Sequence, residues 1–201
     1  MSFSFFLLIF LIGFIGSFLS GLVGIGGSII KYPMLLYIPP LLGFASFTAH
    51  EVSGINAIQV LFASIAGALA YRKGGYLNRS LIAYMGSGIL IGSFLGGYVS
   101  NFLPEQGIHF VYGILATLAA IMMLLPKKND GNIANESVTF NKPLAATLSG
   151  MVGFGAGIVG AAGAFLLVPI MLVILKIPTR MTIATSLVIT FISSIGTAVS
   201  K

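Results

Sequence analysis

The chain has 201 residues, of which 57% are hydrophobic and 7% are charged. An ordinary soluble domain is about one-quarter charged, so this composition predicts an integral membrane protein. The net charge of +6 comes from ten lysines and arginines that are dispersed among apolar segments, which argues against a basic surface for nucleic acid. Cysteine is absent, and this excludes disulfides, thiolate nucleophiles and cysteine-bound metals.

Apolar segments of about 20 residues, the length that crosses a bilayer, recur along the chain. We interpret the first as a spanning helix rather than a signal peptide, because no lysine or arginine precedes it. Two shorter runs, 28–42 and 164–177, carry prolines, so we expect each to form a re-entrant or broken helix. Spanning helices are predicted at 3–23, 48–71, 80–102, 106–125, 143–160 and 179–200. In the predicted span 80–102, Gly88, Gly92 and Gly96 leave one helix face without side chains, which favours close packing of a neighbouring helix.

A glycine-rich segment occurs twice, and each copy leads to a proline inside an apolar run. Residues 21–28 (GLVGIGGS) lead to Pro33, and residues 157–164 (GIVGAAGA) lead to Pro169 at the same spacing. Clustered glycines followed by proline weaken a helix, and in a membrane such a break is tolerated only beside protein or a polar cavity. Two breaks in corresponding halves are a good pointer to the binding site of a transporter.

The duplication predicts an all-α, polytopic transmembrane bundle made of a tandem, parallel repeat with interrupted helices after the glycine breaks. A first repeat at 1–126 would hold four spans and a broken helix, followed by a cytoplasmic linker at 127–142 and a partial second repeat at 143–201. Basic residues in the linker and around 72–79 place both regions in the cytoplasm, together with the N-terminus. Four spans per repeat would relate the two copies about an axis along the membrane normal. The second repeat stops at the counterpart of Tyr71, so we expect the sequence to be part of a longer chain.

The paired segments resemble the TauE/SafE sulfite exporter family, also called the 4-toluene sulfonate uptake permease family. The resemblance is carried by GLVGIGG at 21–27 and by GIVGAAGAFLLVPIML at 157–172 with IPTRMTIATSLVITF at 177–191, and it covers most of the chain. It implies a multi-spanning, internally duplicated carrier for sulfite, sulfonates or related organic anions. The departures are Ala162, where the first copy has Gly26, and the missing final spans.

The residues around the two breaks suit an anion. A helix that restarts after a glycine break presents unpaired N–H groups and the positive end of its dipole, and neutral polar side chains in the next helix can bond an oxyanion without burying a fixed charge. Lys31, like Lys176 and Arg180, falls inside the protein or on the side where basic residues are disfavoured, but the second copy has Leu167 in its place. The predicted substrate-binding residues are Gly24, Gly26, Gly27, Ser28, Asn56, Gln59, Gly160, Gly163, Ala164, Arg180, Thr185 and Ser186.

Each of these assignments has an alternative. The glycines could serve only close helix packing, the hydroxyls and amides could bond between helices or to their own backbone, and Arg180 could be an interfacial anchor. His50 and Glu51 are candidates for proton coupling, but Thr48-Ala49-His50-Glu51 also fits a capping box that would account for Glu51. No metal-ligand spacing, nucleophile–base pair or nucleotide-binding motif is present, so no metal, catalytic residue or cofactor is expected.

We therefore expect a secondary carrier for small anions, with its site near the bilayer midplane where the two breaks meet. Its partners would be a small anionic solute and the lipid bilayer, with no nucleic acid and with a homo-oligomer left open. The expected location is the cell membrane, as a multi-pass protein of a bacterial plasma membrane. The alternatives are a channel, a carrier for another solute, a membrane-embedded enzyme or a non-transporting scaffold, and the scarcity of ionisable groups argues against the enzyme.

Overall fold

The computed structural model describes residues 3–23, 28–71, 75–124, 140–161 and 163–200, with the side chains of 19–23 outside the description. Every regular element in these ranges is helical. The helices are α1 Phe3–Val23, α2 Ser28–Leu41, α3 Ala49–Tyr71, α4 Arg79–Ser100, α5 Glu105–Leu124, α6 Lys142–Val159, α7 Ala164–Pro169, which continues as a π-helical turn at Ile170–Ile174, and α8 Thr179–Ser200.

Five of these helices are long and apolar enough to cross a membrane, namely α3, α4, α5, α6 and α8. Helix α1 has 21 residues, and its stretch Phe3–Phe18 is apolar but shorter than these five helices. The predicted spans agree closely with these helices, because hydropathy alone delimits a segment that must cross a bilayer. The described part of the chain is therefore a helical, multi-pass membrane protein.

Helices α4 and α6 are parallel and touch through their backbones along a glycine seam. A Cβ atom on Gly92 would stand 2.9 Å from the backbone nitrogen of Phe154, and one on Gly157 would stand 2.9 Å from the backbone nitrogen of Gly97. Such distances leave no room for a side chain, which confirms that the glycine face of the third predicted span packs closely on a neighbour. The seam consists of Gly88, Gly92 and Gly96 of α4 with Gly150, Gly153 and Gly157 of α6.

Helices α1 and α3 run in the same direction. Phe5, near the start of α1, stacks with Phe47, just ahead of α3, at a ring-centroid distance of 5.7 Å. Further along both helices, the Nε2 atom of Gln59 lies 3.3 Å from where a Cβ on Gly13 would stand. Helix α2 is antiparallel to α1, because its start contacts the later turns of α1 and the segment that follows it returns to Phe5.

Helix α8 runs against α3 and along α4. A Cβ on Gly67, late in α3, would lie 2.9 Å from Leu187, early in α8. Gly54, early in α3, lines the same pocket as Ala198, late in α8. The contacts that make α4 and α8 parallel are Gly86 with Ile192 and Gly97 with Ser200.

These directions correct the predicted parallel repeat. Helices α1 and α3 run opposite to α6 and α8, their counterparts in the glycine duplication, so the second copy is inverted relative to the first. The prediction treated 28–42 as a segment that does not cross. Instead α2 is one unbroken helix despite Pro33, and with the segment after it the chain returns to the end where α1 begins. This additional pass makes the number of passes in the first half odd, which inverts the second half.

The inversion also accounts for the basic residues. Arg180, at the start of α8, donates a hydrogen bond from Nη1 to the hydroxyl of Tyr76 at 3.2 Å, which places the starts of α8 and α4 at the same end of the bundle. Lys176 precedes the same end of α8, and Lys142 begins the parallel helix α6. The positive-inside rule then predicts that this end is cytoplasmic, so Lys176 and Arg180 obey the rule. The start of α1 lies at the opposite end, contrary to the predicted cytoplasmic N-terminus.

Candidate functional site

The second glycine segment interrupts the helix, as predicted. Helix α6 ends at Val159, and Gly160 caps it in the left-handed conformation with φ 76°, donating its N–H to the carbonyls of Ala156 and Gly157. Gly163 is left-handed too, with φ 73°, and its carbonyl accepts hydrogen bonds from the first turns of α7. Only glycine adopts such angles without strain, which explains the sequence at these two positions.

The first break lies at 24–27, so Gly24, Gly26 and Gly27 fall outside the described residues. Its far side is visible, because α2 begins at Ser28. The buried hydroxyl of Ser28 donates to the carbonyl oxygen of Ala161, inside the second break, at 2.8 Å. The start of α2 therefore meets the second break, and this hydrogen bond joins the two halves of the molecule.

Helix α3 closes this junction from another side. The hydroxyl of Ser53 donates to the carbonyl of Ile158 at 3.4 Å, and a Cβ on Gly160 would stand 2.7 Å from the carbonyl carbon of Ser53. Gly160 thus permits close packing and its amide serves α6, which fits the packing alternative for this glycine. Ser53 lies about 6 Å from the start of α3, which is about 35 Å long. The junction therefore lies near the end of the bundle opposite the basic residues, which we call the outer end, rather than at the middle.

Three further polar side chains lie near this junction, and we call Lys31, Asn56 and Gln59 the inner polar cluster. Lys31 follows Ser28 by one turn of α2, and its Nζ donates to the hydroxyl of Ser17 at 3.4 Å. Asn56 and Gln59 are one turn apart on one face of α3. Lys31 and Gln59 contact successive turns of α1, because the Lys31 side chain packs on Gly16 and the Gln59 side chain packs on Gly13.

Three amide atoms of this cluster have no hydrogen-bond partner among the described residues. Asn56 is fully buried, and neither its Nδ2 nor its Oδ1 atom makes a hydrogen bond there; the same is true of the buried Oε1 of Gln59. The alternative that these amides are satisfied by neighbouring helices is thus not what the described residues show. A buried polar group without a partner costs about 1–3 kcal/mol, so each one requires an explanation.

Helix α8 carries a buried face of hydroxyl groups, and these fall into two kinds. Thr185, Thr190 and Ser193 are buried and find no hydrogen-bond partner within the described ranges. Ser186 instead bonds the carbonyl of Ile183 at 3.0 Å, which is the backbone alternative considered for it. Sequence reasoning missed Thr190 and Ser193, although the hydroxyls recur at helical spacing along one face of α8.

Thr185 and Ser186 do not converge with Asn56. Leu187 of α8 packs on Gly67 of α3, which is about 16 Å from Asn56 along the helix. The unpartnered groups therefore lie at successive depths rather than in one pocket. We call this series the polar track, and from the outer junction towards the basic end it comprises Asn56, Gln59, Ser193, Thr190 and Thr185.

The remaining predicted residues lie outside the cluster. Arg180 is exposed at the basic end and bonds Tyr76, which fits an interfacial anchor. Ala164 is half-buried in the first turn of α7. Glu51 is exposed and accepts from the N–H of Thr48 at 2.8 Å, while its own N–H donates to the Thr48 hydroxyl at 3.2 Å, so the capping box is confirmed. His50 lines a pocket of about 320 Å³ at the outer ends of α3 and α8.

In the ranges that the structure describes, no three His, Cys, Asp or Glu side chains come together as metal ligands would. The chemistry that the site offers is instead hydrogen bonding from neutral donors beside one lysine. The acidic residues in these ranges, Glu51 and Glu105, are both exposed near helix starts. The site therefore places positive charge and hydrogen-bond donors, without a buried carboxylate from the described residues, inside an apolar bundle.

The chain is similar to several proteins that are named probable membrane transporters. The Bacillus subtilis (strain 168) protein named "Probable membrane transporter protein YunE" is 27% identical over 97% of this chain and 77% of its own length. A "Probable membrane transporter protein" of Xylella fastidiosa (strain Temecula1) is 28% identical over 87% of this chain, which spans 65% of that relative. MJ0441 of Methanocaldococcus jannaschii, also named a probable membrane transporter protein, is 28% identical over 96% of this chain and 71% of its own length. No solved structure matches.

A model of the family described as "Sulfite exporter TauE/SafE" matches residues 9–201, which is nearly the whole chain. This match covers both glycine segments, the inner polar cluster and the polar track. The chain therefore belongs to the TauE/SafE sulfite exporter family.

Proposed function

We propose that this chain forms a secondary carrier for small anions, with sulfite, organosulfonates or related sulfur oxyanions as its substrates. The proposal includes two inverted membrane repeats at 1–126 and 143–201, joined by a cytoplasmic linker at 127–142, in a bacterial plasma membrane. The family match and the names of the relatives support transport, and the chemistry of the buried polar groups supports an anion. Since the chain spans 65% of one relative, the activity of the whole protein is part of the proposal.

The observation that carries the proposal is the polar track. Five side chains on α3 and α8 hold buried atoms that lack partners among the described residues, whereas the buried Ser28, Ser194 and Thr197 hydroxyls are hydrogen-bonded. A protein does not keep such groups for stability, because an apolar residue of similar shape would be neutral or better. A solute that carries oxygen acceptors supplies partners to the Asn56 amide and to the hydroxyls as it passes.

The charge distribution supports an anion rather than a cation. The one buried charged side chain among the described residues is Lys31, whereas Glu51 and Glu105 are exposed. Cation pathways in membrane proteins use buried carboxylates or carbonyl rings, and ionisable residues within a membrane protein usually face the transported species. A lysine flanked by neutral amide donors suits an oxyanion.

Burial of the track favours a carrier over an open channel. Asn56 and Thr185 are fully buried, and Thr190 is only 3% exposed, so a solute reaches them only when helices move. Inverted halves that meet at helix breaks are typical of carriers that alternate access between the two sides. We therefore expect transport to saturate with substrate concentration.

The test is uptake of sulfite, ethanesulfonate, sulfoacetate and sulfate by proteoliposomes that hold the complete protein, compared with empty liposomes. Asn56→Leu removes the partnerless amide from the track, and Asn101→Leu makes the same change at an exposed residue whose amide bonds the carbonyl of Ser200. We expect uptake of at least one sulfur anion, a loss of at least tenfold in the Asn56 variant, and little change in the Asn101 variant. A folded protein that moves none of these anions would contradict the proposal, and non-saturating flux would indicate a channel.

A further inference from the structure

Lys31 has a more specific role than a general preference for anions. We propose that Lys31 binds the substrate's charge and, as the one buried cation among the described residues, makes the carrier prefer singly charged anions over doubly charged ones. This inference rests on the proposed function, because it assigns the charge of the substrate that the same site would accept.

Among the described residues, the charge of Lys31 has no acidic partner. The side chain is 2% exposed, and the acidic residues that the structure describes lie at exposed positions, where Glu51 is already engaged by Thr48. Within the described ranges its Nζ makes one hydrogen bond, to the Ser17 hydroxyl at 3.4 Å, although an ammonium group has three donors. A buried ammonium group is costly unless a negative group pairs with it, so an anionic substrate fits this position.

The position of Lys31 connects it to both halves. It lies one turn beyond Ser28, whose hydroxyl is bonded to Ala161 in the second break. On the other side it crosses Gly16 of α1, one turn from the place where Gln59 faces Gly13. A Cβ at Gly16 would stand 3.3 Å from the Lys31 Cδ and nearer still to its Cγ, so glycine is needed there for the lysine to lie across α1.

The preference for a singly charged substrate follows from the number of charges that the site can neutralise. One ammonium group neutralises one negative charge, and the amides of Asn56 and Gln59 bond oxygen atoms without adding charge. A dianion would bring a second charge into the apolar interior with no cation from the described residues to meet it. The second copy of the repeat supplies no second lysine, because the buried Leu167 stands at the counterpart of Lys31.

Ethanesulfonate and ethanedisulfonate provide a matched pair of probes, and each is tested as a competitor of labelled substrate uptake in proteoliposomes. We expect wild-type protein to bind ethanesulfonate at least tenfold more tightly than ethanedisulfonate. This comparison needs no variant, and an equal or reversed preference overturns the inference even if transport itself is confirmed. If the wild type binds and moves no anion, the proposed function fails and this inference fails with it.

Three variants then assign the preference to Lys31. Lys31→Met should lower ethanesulfonate affinity at least tenfold and abolish the preference, whereas Lys31→Arg, which keeps the charge at any working pH, should retain the preference. Lys176→Met removes an exposed lysine at the basic end and should behave as wild type. A folded Lys31→Met protein with wild-type affinity and preference would refute the role of Lys31 while leaving the carrier intact.

Discussion

Two threonines on one helix provide a direct test of the polar track. Thr190 and Thr197 are both buried in α8, but the Thr190 hydroxyl has no partner in the described residues, whereas the Thr197 hydroxyl donates to the carbonyl of Ser193 at 3.1 Å. Valine replaces the hydroxyl with a methyl group of similar size. Thr190→Val removes a buried group whose lack of a partner costs about 1–3 kcal/mol, whereas Thr197→Val loses a hydrogen bond worth about 1 kcal/mol.

The two substitutions should therefore change stability in opposite directions. For a chain of this size, each kcal/mol moves the Tm by about 2–4 °C, upward for Thr190→Val and downward for Thr197→Val. Far-UV circular dichroism of the detergent-solubilised protein measures this, since the chain has neither Trp nor Cys for fluorescence-based methods. Transport should fall about fivefold in Thr190→Val, as expected for one lost hydrogen bond of about 1 kcal/mol to the solute, and should be retained in Thr197→Val.

The reasoning fails if both variants lose stability to the same extent and both transport normally. That outcome would mean that the Thr190 hydroxyl is bonded in the folded protein and that the track is ordinary helix packing. A stabilised Thr190→Val protein with normal transport would separate the two claims, because the hydroxyl would be unpaired yet not used by the solute.

Three further substitutions test other features by the same unfolding measurement. Gly92→Ala places a Cβ against Phe154 in the glycine seam and should lower the free energy of unfolding by about 1–3 kcal/mol, whereas Gly113→Ala, which faces open space, should change it by less than about 0.5 kcal/mol. Equal effects would mean that the seam is not tightly packed. Ser28→Ala removes the bond to the second break and should cost about 1 kcal/mol, together with a loss of transport that an unchanged uptake would contradict. Glu51→Ala should lower the Tm slightly by weakening the α3 cap, without altering the pH dependence of uptake, and an altered pH dependence would support coupling instead.

The helix bounds could be predicted from the sequence, and their directions could not. A run of about 20 apolar residues identifies a span by itself. Helix α2 has only 14 residues and contains Pro33, so its length gave no sign that it helps to return the chain to the start of α1. That return depends on the segment 42–48 and on the stacking of Phe5 with Phe47, which are tertiary contacts. One uncounted pass was enough to invert the second repeat.

The candidate site could be predicted where the sequence pattern had a single physical meaning. Ser28 follows the first break, and Asn56 and Gln59 are amides in an apolar helix, so each was a candidate on its own. Thr190 was missed because hydroxyls in membrane helices often bond their own backbone, as Ser194 does with the carbonyl of Phe191 at 2.7 Å. Lys31 was set aside because the repeat lacks a lysine there, although a binding site between inverted halves need not be symmetric.

The glycine seam also limits which parts of the molecule can move. Where two backbones touch directly, no side chain is available to change rotamer and absorb sliding, so we expect α4 and α6 to travel as a single rigid block through the transport cycle. We expect the displacement that admits a solute to occur between this block and α2 or α3, across the Ser28 and Ser53 hydrogen bonds. Spin labels on α4 and α6 should keep a constant separation during turnover, whereas a pair on α2 and α6 should not.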